Sequence, residues 1–238
     1  MKGIICAGGK GTRLYPLTRA TNKHLLPIYN KPMIYYPIQT LVNTGIKDIL
    51  IVVSEPHSGD FINVLRNGEE FGLKKVEYAF QDESISGISG AISCGGSFAD
   101  NDNIVVILGD NTTDADIKKD VENFKKGAKV FLKQVDNPNR FGVPVFDENK
   151  NILTIEEKPK NPKSNYGVTG LYIYDNTVFE RIKKLKPSAR GELEVTDLNN
   201  SYIEDNLLEW SELPGFWNDA GTFESLFLSN QYWANKER

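Results

Sequence analysis

A glycine-rich loop near the amino terminus carries a lysine and an arginine, the side chains that most often bind phosphate. The loop is Ala7-Gly8-Gly9-Lys10-Gly11-Thr12-Arg13, and it follows an apolar run that predicts a strand. Glycines let backbone N–H groups approach phosphate oxygens closely, and an arginine adds a bidentate cationic grip. The loop therefore predicts a phosphate site; the open alternative is a plain turn with a solvated Lys and Arg.

Two better-known phosphate-binding loops do not fit this segment. Gly9-Lys10 is followed by Gly11, where a Walker loop has Ser or Thr, and Leu14 stands where a dinucleotide-binding loop has its third glycine. If the loop binds phosphate, it does so in another class of protein.

The segments around the loop predict an α/β fold. Strand-type runs alternate with helix-capable segments, which is typical of crossover units and a largely parallel sheet. The runs are Gly3–Ala7, Asp48–Val53, Val76–Phe80 and Ile104–Leu108, and the helices are predicted at Pro32–Val42 and Asp114–Phe124. The continuously apolar first and last runs predict central strands covered on both faces, and open sheets of this kind bind ligands at the carboxyl ends of their strands.

After about residue 128 the pattern changes to strands separated by turns, and then to helices. We expect this half to complete the same sheet and to build a lid or pocket wall, within one domain spanning residues 1–238. The predicted strands are Val130–Val135, Phe141–Phe146, Ile152–Ile155 and Val168–Tyr174, and the predicted helices are Asn176–Leu185, Val195–Glu204 and Thr222–Lys236.

Composition places the chain among ordinary water-soluble proteins. It has 238 residues, 39% of them hydrophobic and 25% charged, with a formal net charge of -4, which argues against general nucleic-acid binding. No apolar run is long enough to span a bilayer and no secretory signal is evident, so we expect no membrane partner and a cytoplasmic location. Cys6 and Cys94 are predicted to be small side chains that fill the core.

Eight short segments stand in the order known from one enzyme family. The chain resembles the sugar-1-phosphate nucleotidylyltransferases, most closely the short-form glucose-1-phosphate thymidylyltransferases, over nearly its whole length. The segments are AGGKGTRL (7–14), NKHLLPI (22–28), LGDN (108–111), RFGV (140–143), EEKP (156–159), VTGLYIYD (168–175), GELEVTDLN (191–199) and WNDAGT (217–222).

The resemblance implies a fold and a set of site residues. The fold would be a Rossmann-like three-layer sandwich around a mixed, mostly parallel sheet, with a nucleotide-binding half at about 1–128 and a sugar-binding half at about 129–238. Arg13, Lys23 and Lys158 would supply the catalytic cations, while Asp110 and Asp219 would hold Mg²⁺. The nucleotide would be bound by Gly8, Gly9, Gly11, Thr12, Arg13, Gln81 and Gly87, the last two at the base, and the sugar phosphate by Gly142, Glu157, Lys158 and Val168.

The implied activity joins dTTP and glucose 1-phosphate to give dTDP-glucose and pyrophosphate. A sugar-phosphate oxygen attacks the α-phosphorus in line, so two anions must meet and cations are required. The nucleophile is already ionised near neutral pH, and no Ser-His-Asp unit is needed. Alternatives are a uridylyl- or cytidylyltransferase, and a non-catalytic sugar-nucleotide sensor. The resemblance also implies a dimer or tetramer and a role in surface-polysaccharide synthesis.

Each implied role has a structural alternative. Asp110 could be a strand-end turn residue, Asp219 could lie in a plain helix N-cap region, and Lys23 could be a surface lysine. Glu157-Lys158 could be a surface ion pair, which contributes little.

The chain departs from the family pattern at two places. One extra residue lies between Gln81 and Gly87, and Gly90 stands where relatives have a larger polar residue, so base selectivity is open and a weaker helix is expected here. Longer members continue beyond the position of Arg238 into helices that form a regulatory nucleotide site, and we expect no feedback inhibition through such a site.

Overall fold

The computed structural model describes residues 1–54 and 58–237, and within them regular elements alternate along the chain. The strands are β1 (Lys2–Ala7), β2 (Pro27–Ile28), β3 (Lys31–Pro32), β4 (Asp48–Val53), β5 (Lys75–Phe80), β6 (Ile104–Leu108), β7 (Asn111–Thr113), β8 (Ala128–Gln134), β9 (Gly142–Phe146), β10 (Ile152–Glu157), β11 (Tyr166–Tyr174), β12 (Leu208–Glu212) and β13 (Trp217–Asp219). The helices are α1 (Tyr35–Asn43), α2 (Ser58–Leu65), α3 (Ile88–Ser93), α4 (Gly96–Ala99), α5 (Lys118–Asn123), α6 (Val178–Ile182), α7 (Val195–Glu204) and α8 (Phe223–Lys236).

A seven-stranded sheet in the order β12-β8-β11-β6-β1-β4-β5 forms the centre of the molecule. The β5, β4, β1 and β6 strands run parallel, β11 is antiparallel to both of its neighbours, and β12 is parallel to β8. The prediction of a mixed, mostly parallel sheet is therefore confirmed. Three of the four parallel pairs come from the first half of the chain, and the fourth joins β8 to β12 in the second half.

Both faces of the sheet are covered by apolar side chains. Alternate residues of β1 point to opposite faces, so that Ile4 packs in one core cluster and Ile5 in the other, and Val106 and Ile107 of β6 divide in the same way. All four side chains are fully buried. This explains why these strands appear as continuous apolar runs in the sequence.

The carboxyl ends of four parallel strands meet at one edge of the sheet. There β1 leads into Gly8, β4 into Ser54, β5 into Gln81 and β6 into Gly109. Parallel alignment thus gathers at one edge residues that are far apart in the sequence.

The second half builds the wall that faces this edge. The β9 and β10 strands pair with each other in a separate two-stranded sheet, and α7 packs on β10 through Asn200, whose amide donates to the Ile155 carbonyl. The α7 helix has the predicted bounds. The other four predicted helices, α1, α5, α6 and α8, begin one to four residues later than predicted. Lys31–Pro32 pairs with β2 before α1, the Asp114 carboxylate accepts the Phe216 N–H before α5, and Thr222 is the N-cap of α8.

None of the helices in the described part of the chain combines the length and apolar character needed to cross a membrane.

Candidate active site

A cavity of about 1230 Å³ opens at the carboxyl edge of the sheet. It is lined by every predicted site residue except Gly11 and Thr12: Gly8, Gly9, Arg13, Lys23, Gln81, Gly87, Asp110, Gly142, Glu157, Lys158, Val168 and Asp219. The fold therefore brings the predicted nucleotide, sugar and metal residues into one cavity.

The glycine loop forms the rim of the cavity next to β1. The Gly9 N–H donates to the Ser54 hydroxyl at 3.0 Å, which fixes the loop to the end of β4. Gly11 has a φ of 60° and begins the short helical turn Thr12–Leu14, with its carbonyl accepting from the Thr18 hydroxyl at 2.8 Å. Gly11 thus shapes the turn that carries Arg13, and direct ligand contact by Gly11 or Thr12 stays a prediction.

Asp110 and Lys23 form a buried ion pair at the bottom of the cavity. The Lys23 ammonium lies 2.5 Å from Asp110 Oδ2, and the two side chains are 14% and 9% exposed. Asp110 Oδ1 accepts from the Asn111 amide at 3.1 Å, while Asn111 Oδ1 accepts from the Trp217 indole N–H at 2.7 Å. Both carboxylate oxygens of Asp110 are therefore held by partners.

Strand pairing places Asp219 beside Asp110. The β13 and β7 strands are antiparallel, with Asp219 opposite Asn111. A methyl group built on Gly221 would lie 2.7 Å from Asp219 Oδ1, 3.1 Å from Arg13 Nη2 and 3.5 Å from Asp110 Oδ2. Two carboxylates and a guanidinium thus converge on one point.

The pKa values of the two aspartates shift in opposite directions because their surroundings differ. Burial by itself would raise the pKa of Asp110, but the Lys23 charge and the hydrogen bonds from Lys23 and Asn111 outweigh it and hold that pKa below its ordinary value. The pKa of Asp219 is raised, first by burial and then by the negative charge of Asp110. The charges of Lys23 and Arg13 act in the opposite sense on Asp219 but do not outweigh these two effects.

Residues at this point have the chemistry of a magnesium site. Mg²⁺ takes one or two protein carboxylates and keeps waters or phosphates as its other ligands. The described residues contain no cluster of three or more His, Cys, Asp or Glu that could hold a metal by themselves. Two convergent carboxylates that face a large cavity fit a metal ion whose other ligands are waters or the phosphate oxygens of a substrate.

His24 is a structural residue of this centre. It is 1% exposed, its Nδ1 lies 2.7 Å from Asn22 Oδ1, and its ring packs against Gly109. Burial, followed by the Lys23 charge, lowers the pKa of His24 to about 3. The imidazole is therefore neutral at physiological pH, and it packs beside Gly109, the residue that precedes Asp110.

Gln81 lies at the end of the cavity next to β5, and its amide orientation is fixed. Its Nε2 donates to the Ile85 carbonyl at 2.7 Å and to the Gly87 carbonyl at 2.9 Å, which leaves Oε1 as the group available to a ligand. A side chain at Gly90 would overlap the Ile85 carbonyl oxygen. Gly90 is thus required by the close approach of the loop, which the sequence alone did not reveal.

Glu157, the last residue of β10, and Lys158 after it line another part of the cavity wall. The Thr196 hydroxyl donates to Glu157 Oε2 at 2.5 Å, and the Lys158 ammonium lies 3.0 Å from Glu157 Oε1. Lys158 has a φ of 45°, a strained backbone conformation for a residue other than glycine, and such strain is concentrated at functional sites. Gly142 lies beside this pair: a methyl group built on it would be 3.3 Å from Thr196 Oγ1.

Several cavity residues were not singled out by the sequence analysis. Arg190 makes a bidentate contact with Glu194, at 3.0 and 2.9 Å, and reaches Glu157 Oε1 at 3.5 Å. Asn111, Trp217 and Thr196 complete the contacts described above. Asn111, Thr196 and Trp217 belong to the LGDN, GELEVTDLN and WNDAGT segments. The motifs therefore indicated that these segments lie near the site, but not which contacts the three side chains make.

The sheet, the glycine loop and the convergent acidic and basic side chains are typical of α/β proteins that bind phosphates at the carboxyl edge of their strands. The nucleotidyl transferase family model matches residues 2–236. The chain belongs to the nucleotidyl transferase family.

Curated relatives match most of the chain. A glucose-1-phosphate thymidylyltransferase from Neisseria meningitidis is 50% identical over 232 residues, covering 95% of this chain and 80% of the relative. One from Mycolicibacterium smegmatis is 41% identical, covering 98% and 82%.

Solved structures show the same fold. A Bacillus anthracis crystal structure, assigned as a glucose-1-phosphate thymidylyltransferase and holding a sucrose, has a TM-score of 0.92 at 51% identity, covering 98% of this chain and 94% of that one. A UDP-glucose pyrophosphorylase complexed with UDP-glucose has a TM-score of 0.85 at 23% identity, covering 99% and 98%, and supports the fold alone.

Proposed function

We propose that this protein transfers a thymidylyl group from dTTP to α-D-glucose 1-phosphate, giving dTDP-glucose and pyrophosphate. The observation that carries the proposal is the convergence of Asp110, Asp219 and Arg13 beside the Lys23 ammonium under the glycine loop. Such a centre suits a reaction in which one phosphate attacks another. The names of relatives at 40–50% identity support the choice of substrates.

The chain's own side chains would overcome the repulsion between the two anions. Arg13, Lys23 and Lys158 line the same cavity as Gly8 and Gly9. In this proposal Arg13 and Lys23 bind the triphosphate and Lys158 binds the sugar phosphate. Holding the attacking oxygen in line with the α-phosphorus replaces a bimolecular encounter by a positioned one. The sugar phosphate is already an anion near neutral pH, so its attack needs no general base. The buried and neutral His24 is consistent with a site that has no such base.

We propose Asp110 and Asp219 as the protein ligands of Mg²⁺. When bound, the ion would neutralise charge on the triphosphate during transfer. Asn111 would orient Asp110 through the amide that already donates to Oδ1.

The fixed amide of Gln81 supports a base with an N3–H donor. Its Nε2 is used by two backbone carbonyls, so Oε1 can accept from N3–H of thymine or uracil, whereas N3 of cytosine is itself an acceptor. This argues for thymidylyl transfer over cytidylyl transfer. Uridylyl transfer is the second candidate, because thymine and uracil present the same N3–H to Gln81.

The remaining proposals follow from the resemblance. We infer that the enzyme works in the cytoplasm, that it supplies activated sugars for surface polysaccharide, and that it forms a dimer or tetramer.

Pyrophosphate release across a panel of nucleotides and sugar phosphates tests the proposal. We expect the highest kcat/KM with dTTP and glucose 1-phosphate, a lower value with UTP and little release with CTP. Equal values for dTTP and UTP would contradict the preference for dTTP, a higher value for UTP would favour the second candidate, and no release with any pair would overturn catalysis.

A further inference from the structure

The Lys23 ammonium contacts the Asp110 carboxylate oxygen that a metal ion shared with Asp219 would need. Asp110 Oδ1 already accepts from Asn111, and Oδ2 is the oxygen that Lys23 contacts at 2.5 Å. Oδ2 is also the Asp110 oxygen that lies toward Asp219 and Arg13, near the point marked by Gly221. A divalent cation shared by the two aspartates would therefore compete with Lys23 for the same oxygen.

The competition is strong because the pair is buried. With side chains 14% and 9% exposed, the charges of Lys23 and Asp110 are poorly screened by water. A cation that entered without any new anion would have to displace Lys23 and leave a buried ammonium without a partner, which is costly. Arriving triphosphate changes this balance, because its oxygens offer Lys23 another anion.

We propose that Lys23 is a built-in counter-ion that excludes divalent metal from Asp110 and Asp219 until a nucleoside triphosphate draws the ammonium away. This inference rests on the proposed function. The free protein then binds metal weakly, and metal and nucleotide bind together. Lys23 has two successive partners: Asp110 in the free protein and the phosphates in the complex.

Removing the ammonium should strengthen metal binding by the free protein. The test titrates Mn²⁺, as a paramagnetic probe, into nucleotide-free protein and follows water-proton relaxation. Lys23→Met should bind Mn²⁺ at least about tenfold more tightly than the wild type, because Asp110 Oδ2 is released. Lys23→Arg keeps the charge and should bind as weakly as the wild type. Lys23→Gln is a second neutral variant in case Lys23→Met does not fold.

Lys158→Met is the matched control, because it removes another cavity cation whose partner is Glu157. Its Mn²⁺ affinity should match the wild type. Adding Asp110→Asn to Lys23→Met should abolish the gain. Unchanged affinity in the folded Lys23 variants, or an equal gain in Lys158→Met, would overturn the inference. Failure of the proposed function is separate, since it would appear as wild-type protein that releases no pyrophosphate.

Discussion

Two parts of the cavity wall hold charge in different ways. Around Asp110, the proposed metal end, the side chains of Lys23 and Asp110 are 14% and 9% exposed and pair with each other. Around Glu157, the proposed sugar end, Lys158 and Arg190 are both 46% exposed and share Glu157, which is 29% exposed. The ion pair at the first is mostly buried, whereas the ion pairs at the second are half-exposed and share one carboxylate.

The difference follows from what each end would do. Stabilising charge on a transferring phosphate needs fixed dipoles and charges in a low-dielectric site, where electrostatic interactions are strong. Admitting and releasing a sugar phosphate needs contacts that exchange with water, and half-exposed ion pairs contribute little stability. We therefore expect substitutions at the metal end to reduce kcat and to lower stability, and those at the sugar end to raise one KM.

Asp110→Asn should have the largest effect. Loss of a carboxylate that contacts Lys23 should reduce kcat by at least about 10³-fold, as for removal of a preorganised electrostatic group. The protein should remain folded, although leaving Lys23 without its charged partner should cost about 3 kcal/mol. Pyrophosphate release and thermal unfolding measure the two effects.

Asp114→Asn is the control for that variant. Asp114 accepts hydrogen bonds from Tyr232, Lys236 and the Phe216 N–H and does not line the cavity, so its loss should lower stability and leave kcat intact. Near-wild-type turnover in Asp110→Asn would place the metal site elsewhere.

Lys158→Met should separate the two substrates. Loss of a charged hydrogen bond to the sugar phosphate, worth about 1.5–3 kcal/mol, should raise the KM for glucose 1-phosphate by about 10- to 100-fold. The KM for dTTP should not change. Steady-state kinetics with each substrate varied in turn measure this, with Lys160→Met as a control, because Lys160 does not line the cavity. An equal rise in both KM values would contradict the division into two ends.

His24 gives the metal end a pH dependence. Burial, then the Lys23 charge, lowers the pKa of His24 to about 3, whereas an unfolded chain has an ordinary histidine. As the pH falls, His24 is protonated in the unfolded chain before it is protonated in the folded protein. The contribution of His24 to stability is therefore present above the unfolded pKa and is lost as the pH falls below it. The loss from this group should be about 2 kcal/mol between pH 7 and pH 5.

Urea unfolding at the two pH values measures that loss. His24→Gln, which cannot titrate, should be less stable than the wild type at pH 7 but should lose about 2 kcal/mol less on acidification. Parallel losses in both proteins would mean that the pKa of His24 is not lowered in the folded protein.

The wider frame of the metal end could be predicted from sequence, but its contacts could not. Apolar runs marked β1 and β6, and parallel strands end at one edge, so the positions of Gly8 and Asp110 follow from the pattern. Asp219 came from the resemblance alone, since β7 and β13 have three residues each and show no periodicity that a sequence can reveal.

Gly90 shows a limit of local propensity. A glycine in a helical segment predicts a weaker helix. In the structure the Ile85 carbonyl oxygen occupies the space that a side chain on residue 90 would need, so only glycine fits there. The Gln81 amide donates to the same carbonyl and holds it in place. That requirement is tertiary, because it depends on how the loop folds back over α3.

Thr196 should have the smallest effect and is the finest test of the sugar end. Its hydroxyl is buried and donates to Glu157 Oε2 at 2.5 Å, so it would orient the carboxylate toward sugar hydroxyls without touching them. Thr196→Val keeps the shape and removes the donor, and should raise the KM for glucose 1-phosphate about tenfold, with kcat and the KM for dTTP little changed.

Two companion variants show whether Thr196 acts through Glu157. Thr196→Ser retains the hydroxyl and should restore the wild-type KM. In the Glu157→Gln background the carboxylate is absent, so Thr196→Val should add little, and the two substitutions should be strongly non-additive. Additive effects, or no rescue by serine, would mean that Thr196 only packs against β9. In that case the orientation of Glu157 would depend on the half-exposed ion pairs with Lys158 and Arg190. The sugar end would then have no buried hydrogen-bond donor comparable to Asn111 at the metal end.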